Sequence, residues 1–80
     1  MKPCEVIALH KENGQIIPLK IKIYENDESN VFVIKSSIQI TQSYKQQATI
    51  KYKCKIVIND VLTECELTFD KNETKWYIKF

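Results

Sequence analysis

The sequence predicts an all-β fold, a six-stranded antiparallel meander curled into a small barrel. Three observations carry that prediction. Runs of alternating apolar and polar residues recur along the chain, which is the period-two pattern of strands packed on one face. Short clusters of Asn, Asp, Glu and Gly separate the runs, and such residues form turns. The chain has 80 residues, which suits one small β domain spanning 1–80.

The central pair of runs sets the frame. TIKYKCKIVI (49–58) and VLTECELTFD (61–70) flank Asn59-Asp60, and these two residues can supply the positive φ angles of a type I′ hairpin. Counting outward puts Ile58 opposite Val61, Ile56 opposite Thr63, Cys54 opposite Cys65, Tyr52 opposite Leu67 and Ile50 opposite Phe69, all on one surface. The other surface sets Lys55 against Glu64 and Lys53 against Glu66. A slip of one residue would mix the faces and break the charge pairing, so the register is over-determined. Each charge pair adds ~0.2–1 kcal/mol and burial of the apolar surface adds far more. The Ile, Tyr, Cys and Leu surface is therefore the inner one.

A first hairpin repeats this logic. Cys4 to Lys11 and Ile16 to Tyr24 flank Glu12-Asn13-Gly14-Gln15, and Asn-Gly favours a type I′ turn. With Asn13 and Gly14 as the loop, Ala8 opposes Leu19, Val6 opposes Ile21, Cys4 opposes Ile23 and His10 opposes Ile17 on the inner surface. Outside, Glu5 meets Lys22 and Leu9 meets Pro18. Proline there occupies a non-hydrogen-bonded pair, so its missing N–H costs this ladder nothing and the far edge of the second strand is unpaired near Pro18.

Residues 25–30 read as a polar, solvated turn. Its three carboxylates, Glu25, Asp27 and Glu28, lack the 12-residue spacing of a calcium loop. Val31 to Lys35 is the third strand, with Phe32 and Ile34 inward. Across 36–48, Ile38 and Ile40 alternate with polar residues as a continuing or separate strand, and 42–47 reads as a loop or one helical turn. A four-residue loop at 71–74 then leads to a last strand, 75–80, which sets Trp76 against Phe69, Ile78 against Leu67 and Phe80 against Cys65 as core plugs. A flat sheet of six strands would leave an apolar surface in water. Closure into a small barrel, SH3-like or similar, removes that surface together with the open edges.

PLKIKIYENDE (18–28), VFVIK (31–35) and IKYKCKIVINDV through ELTFDKNETKWYIKF (50–80) resemble a family of short, uncharacterised bacterial all-β proteins. The likeness lies in a Pro-Leu start, a Tyr-x-Cys strand before an Asn-containing turn and a Lys-Trp end. The family has no established function, so the resemblance implies no site residue, and 36–48 falls outside it.

Composition narrows the function. The net charge is +2, and all twelve basic residues are Lys. Without Arg, planar bidentate reading of phosphates and bases is disfavoured. No apolar run approaches the roughly 18–20 residues that span a bilayer, and the first five residues look nothing like a secretory leader, so a cytoplasmic protein without membrane contact is expected. Three Cys in such a chain read as free thiols. Cys54 and Cys65 nonetheless face each other at the ~5.5 Å Cα spacing of a hydrogen-bonded pair, where a disulfide is the alternative. With one His, His10, and no Cys-x-x-Cys, a four-ligand zinc site cannot be built from Cys and His.

There is no Ser-His-Asp set, no phosphate loop and only one Gly, so neither enzymatic activity nor a cofactor is expected. A protein-interaction or structural module is the leading class. Its candidate surface is Ile7, Leu9, Ile16 and Pro18 on the outer face of the first hairpin, taking an unknown protein partner or a second copy. Val57 and Leu62 make a smaller outer pair. The alternative is single-stranded nucleic-acid binding along Lys51, Lys53, Lys55, Tyr77 and Lys79. Glu64 and Glu66 between the two Lys rows weaken that field, so nucleic acid is disfavoured.

Overall fold

The computed structural model describes residues 1–40 and 48–80; the loop or helical turn expected at 42–47 lies outside the described residues. Six strands follow in order: β1 (Lys2–His10), β2 (Ile16–Glu25), β3 (Glu28–Gln39), β4 (Thr49–Ile58), β5 (Val61–Asp70) and β6 (Lys75–Lys79). Each pairs antiparallel with the next, and β1 meets β6 to close the barrel. Among the described residues there is no helix long and apolar enough to cross a membrane.

The β4–β5 ladder has the predicted register throughout, from Ile58–Val61 to Ile50–Phe69. Asn59 and Asp60 hold φ angles of 49° and 64°, the paired left-handed conformation of a type I′ turn. The next ladder agrees as well, with Leu67 on Ile78 and Phe69 on Trp76. These inner residues form the core: Cys54, Ile56 and Leu67 are fully enclosed, joined by Ile21 from β2. Trp76 packs on that core, its ring centroid 4.8 Å from Phe69 and 5.8 Å from Tyr52.

Turn chemistry accounts for the departures. The polar stretch at 25–30 is not a six-residue turn: Glu25 pairs with Glu28 across Asn26 and Asp27, whose φ angles are 49° and 63°. This is the Asn-Asp dipeptide of the central hairpin, used a second time. Strand β3 consequently starts early, and it runs on to Gln39 through a register shift between Ile34 and Ser36. A bulge of this kind bends its strand, and here the bend carries β3 from its pairing with β2 to its pairing with β4. Phe80 lies beyond β6 and is exposed, so it is not the core plug expected opposite Cys65.

The first hairpin differs from expectation at its tip. Gly14 donates its N–H to the Lys11 carbonyl at 2.9 Å, and Lys11 donates to the Gln15 carbonyl at 2.8 Å. Within this loop only Gly14 has a left-handed φ, +90°. The loop is thus three residues, Glu12-Asn13-Gly14, a turn closed by a left-handed glycine rather than a two-residue type I′ turn. The Asn13 side-chain oxygen accepts the Gln15 N–H at 3.0 Å and steadies it. The extra residue moves the upper register by one: Ala8 pairs with Pro18, Leu9 with Ile17 and His10 with Ile16. Leu19 is then bulged out, which restores the expected pairs Glu5–Lys22 and Val6–Ile21 at the base.

Candidate interaction surface

This shift redraws the candidate surface. Ile7 and Leu9 point outward as predicted, 62% and 48% exposed. Pro18 and Ile16 do not: Pro18 is fully buried, and Ile16 packs against the core from a half-buried position. Both sit one residue out of the phase that a two-residue loop would impose, which turns them inward. His10, expected inside opposite Ile17, is instead exposed at the tip.

Other side chains complete the face. Val31 and Val33 of β3 are 58% and 50% exposed, and bulged Leu19 is exposed beside them. Register places Val33 beside Lys20 and Lys20 beside Ile7, while Val31 flanks Lys22 and Lys22 flanks Glu5. The outer face of β1, β2 and β3 is therefore apolar at both margins with a Lys row between. Part of that row is held in place: the Lys22 ammonium lies 5.1 Å from the Tyr24 ring centroid, and the Tyr24 hydroxyl donates to Glu5 at 3.0 Å. The Lys22 pKa is raised, chiefly by its contact with Tyr24 and then by Glu5. Val31 and Val33 were readable as outward once Phe32 and Ile34 were placed inward. The β3 alternation gave that signal, and the bulge at Leu19 had none.

The tip half of the first hairpin is an arm with, among the described residues, no strand paired to either edge. β1 pairs with β6 only through Lys2, Pro3 and Cys4, and β2 pairs with β3 only from Lys20 onward. Tyr52, buried in the core, donates its hydroxyl to the Ile16 carbonyl at 2.8 Å and ties the arm down.

The alternative face lies on β4, β5 and β6. Lys51, Lys53, Lys55 and Lys79 are exposed and Tyr77 is half-buried. Acidic residues interleave as expected: Glu64 pairs in register with Lys55, and Glu66 lies between Lys53 and Lys79. The ion pair Glu66 makes is the diagonal one, to Lys51 at 3.9 Å. An open depression of about 410 Å³ over this face is bordered by Glu64 and Glu66 as well as by Lys53 and Lys79. Val57 and Leu62 are outward and paired, as predicted.

No family model, curated protein or solved structure matches this chain. Cys4, Cys54 and Cys65 are free thiols. Burial pushes Cys54 up to about 12 and Cys4 up to about 11, each with a further rise from Cys65. Burial raises Cys65 too. Protonated thiols are poor nucleophiles and poor metal ligands. Among the described residues no cluster of three His, Cys, Asp or Glu side chains is placed to hold a metal.

Proposed function

We propose that this chain is a small protein-interaction module that binds through the outer face of its first three strands. One observation carries the reading: Ile7, Leu9, Val31 and Val33 are about half or more exposed on one face. Exposed apolar side chains gathered along both margins of one face, with Lys20 and Lys22 between them, mark an interaction surface more often than a scattered hydrophobe does. The Lys face of β4 to β6 supports nucleic-acid binding less well, because carboxylates divide it.

An apolar-sensitive fluorophore and a short single-stranded oligonucleotide test the reading together. The native protein should bind the fluorophore. Ile7→Thr with Val33→Thr should remove most of that signal while moving stability by no more than about 0.5 kcal/mol per site, as surface changes do. Oligonucleotide binding that weakens with salt and is lost in Lys53→Gln with Lys79→Gln would overturn the reading, since counterion release is the signature of a phosphate track.

A further inference from the structure

We infer that two copies of this chain join through the free edge of β1, antiparallel about a two-fold axis at Ala8. This rests on the interaction reading above and names the partner as a second copy. The main chain supplies the first reason. The Lys11–Gln15 hydrogen bond fixes the alternation of the hairpin, so Ile7 and Leu9 direct their peptide groups toward β2 while Val6, Ala8 and His10 direct theirs away. Lys2 and Cys4 have β6 on that side, but the β1–β6 ladder stops at Cys4. Among the described residues, no strand meets the N–H and C=O groups of Val6, Ala8 and His10 on that edge.

The arm's other margin is blunted. On β2, Pro18 has no N–H, the Ile16 carbonyl is taken by the Tyr52 hydroxyl, and Leu19 bulges. Proline and bulges are the usual means by which strand edges are kept from pairing. Only one of the two edges carries them.

The side chains supply the second reason. Glu5-Val6-Ile7-Ala8-Leu9-His10-Lys11 is complementary to its own reverse. Centred on Ala8, Glu5 faces Lys11 of the second copy, Ile7 faces its Leu9, and Val6 faces its His10. Acid meets base at both ends, and the two exposed apolar side chains of each copy merge into one band. Such cross-strand pairs stabilise a sheet, and like charges opposite one another destabilise it. A shift of two residues sets Glu5 against Leu9 or Lys11 against Ile7, so this register is the favoured one. There is also room: where β6 begins, a cleft of about 440 Å³ opens between Val6 and Trp76, with Lys75 on its rim.

Sedimentation velocity across the micromolar range tests the pairing. The unmodified chain should form a dimer as concentration rises. Ala8→Pro removes the central donor of the free edge without touching the β2 ladder and should leave a folded monomer. Glu5→Lys and Lys11→Glu should each raise the dimer dissociation constant roughly tenfold. An equimolar mixture of those two variants should dimerise again, because every Lys then faces a Glu. If Ala8→Pro fails to fold, the mixing experiment decides alone. A monomer at every concentration, or a dimer indifferent to the charge changes, overturns the pairing. A monomer that still binds the fluorophore through Ile7 and Val33 overturns only the pairing and leaves the interaction reading in place.

Discussion

In the β4–β5 hairpin every predicted cross-strand pair is observed, whereas in the β1–β2 hairpin the prediction holds at Glu5–Lys22 and Val6–Ile21 and fails from Ala8 to the tip. Both hairpins show the same alternation and both have an Asn in the loop. The difference begins with one residue in the loop. Asn59 and Asp60 both take left-handed angles, but at 13–14 only Gly14 does. The three-residue loop shifts the register above it by one, which buries Pro18, and the bulge that restores the register exposes Leu19. The β4–β5 hairpin thus supplies most of the core and leaves Val57, Val61 and Leu62 in solvent only near its turn, while the other hairpin keeps Ile7 and Leu9 in solvent along β1.

Core truncation should divide the two hairpins most clearly. Leu67 is fully enclosed, so Leu67→Ala should cost ~2–5 kcal/mol, a large part of the stability of so small a domain. Ile7→Ala should stay within about 0.5 kcal/mol. Urea unfolding of both variants in dilute solution measures this, and equal losses would erase the distinction drawn between them.

Alkaline titration sharpens it through the thiols of the core. The unfolded thiols ionise near 9.0, while Cys54 is held up to about 12 and Cys4 up to about 11. Above pH 9 the native chain therefore binds more protons than the unfolded one. The stability from shielding these thiols is complete below pH 9 and falls as the pH climbs toward 12. Urea midpoints taken from about pH 8 to about pH 11 should decline, and Cys54→Ala should flatten part of the decline. Identical slopes in the two proteins would mean that Cys54 is not shielded.

The smallest effect is a difference of sign between the loops. Asn59→Gly should be neutral or slightly stabilising, because φ of 49° suits glycine. Asn13→Gly should cost ~0.5–1.5 kcal/mol, since it deletes the oxygen that accepts the Gln15 N–H and loosens a loop whose left-handed position belongs to Gly14. Thermal midpoints shifting the same way in both variants would argue that the two loops are alike after all.

Much of this architecture was legible because two kinds of information agreed. In β4 and β5 the charge pattern and the apolar pattern select one register, and Asn59-Asp60 matches it. Where only one kind was present, reading failed. Asn-Gly admits both a two-residue and a three-residue hairpin, and the flanking Lys11, Glu12 and Gln15 favour neither, so a two-residue count puts Ile16 and Pro18 on the wrong face. Asn26-Asp27 was hidden among neighbouring acids, although the same dipeptide was recognised at 59–60. Of the candidate surface, Ile7 and Leu9 were legible because β1 carries no bulge. The role of Val31 and Val33 depends on β3 lying beside β2, and the open edge of β1 depends on β6 being short. Both are tertiary facts that no local pattern encodes.

The asymmetry between the arm's two margins has a further consequence for how assembly through it would end. Joining along β1 uses the receptive margin of each copy, and the margins left facing outward are those carrying Pro18, the Leu19 bulge and the tethered Ile16 carbonyl. Further chains find little there to extend the ribbon, so an association built on this arm closes at two members instead of growing into a filament.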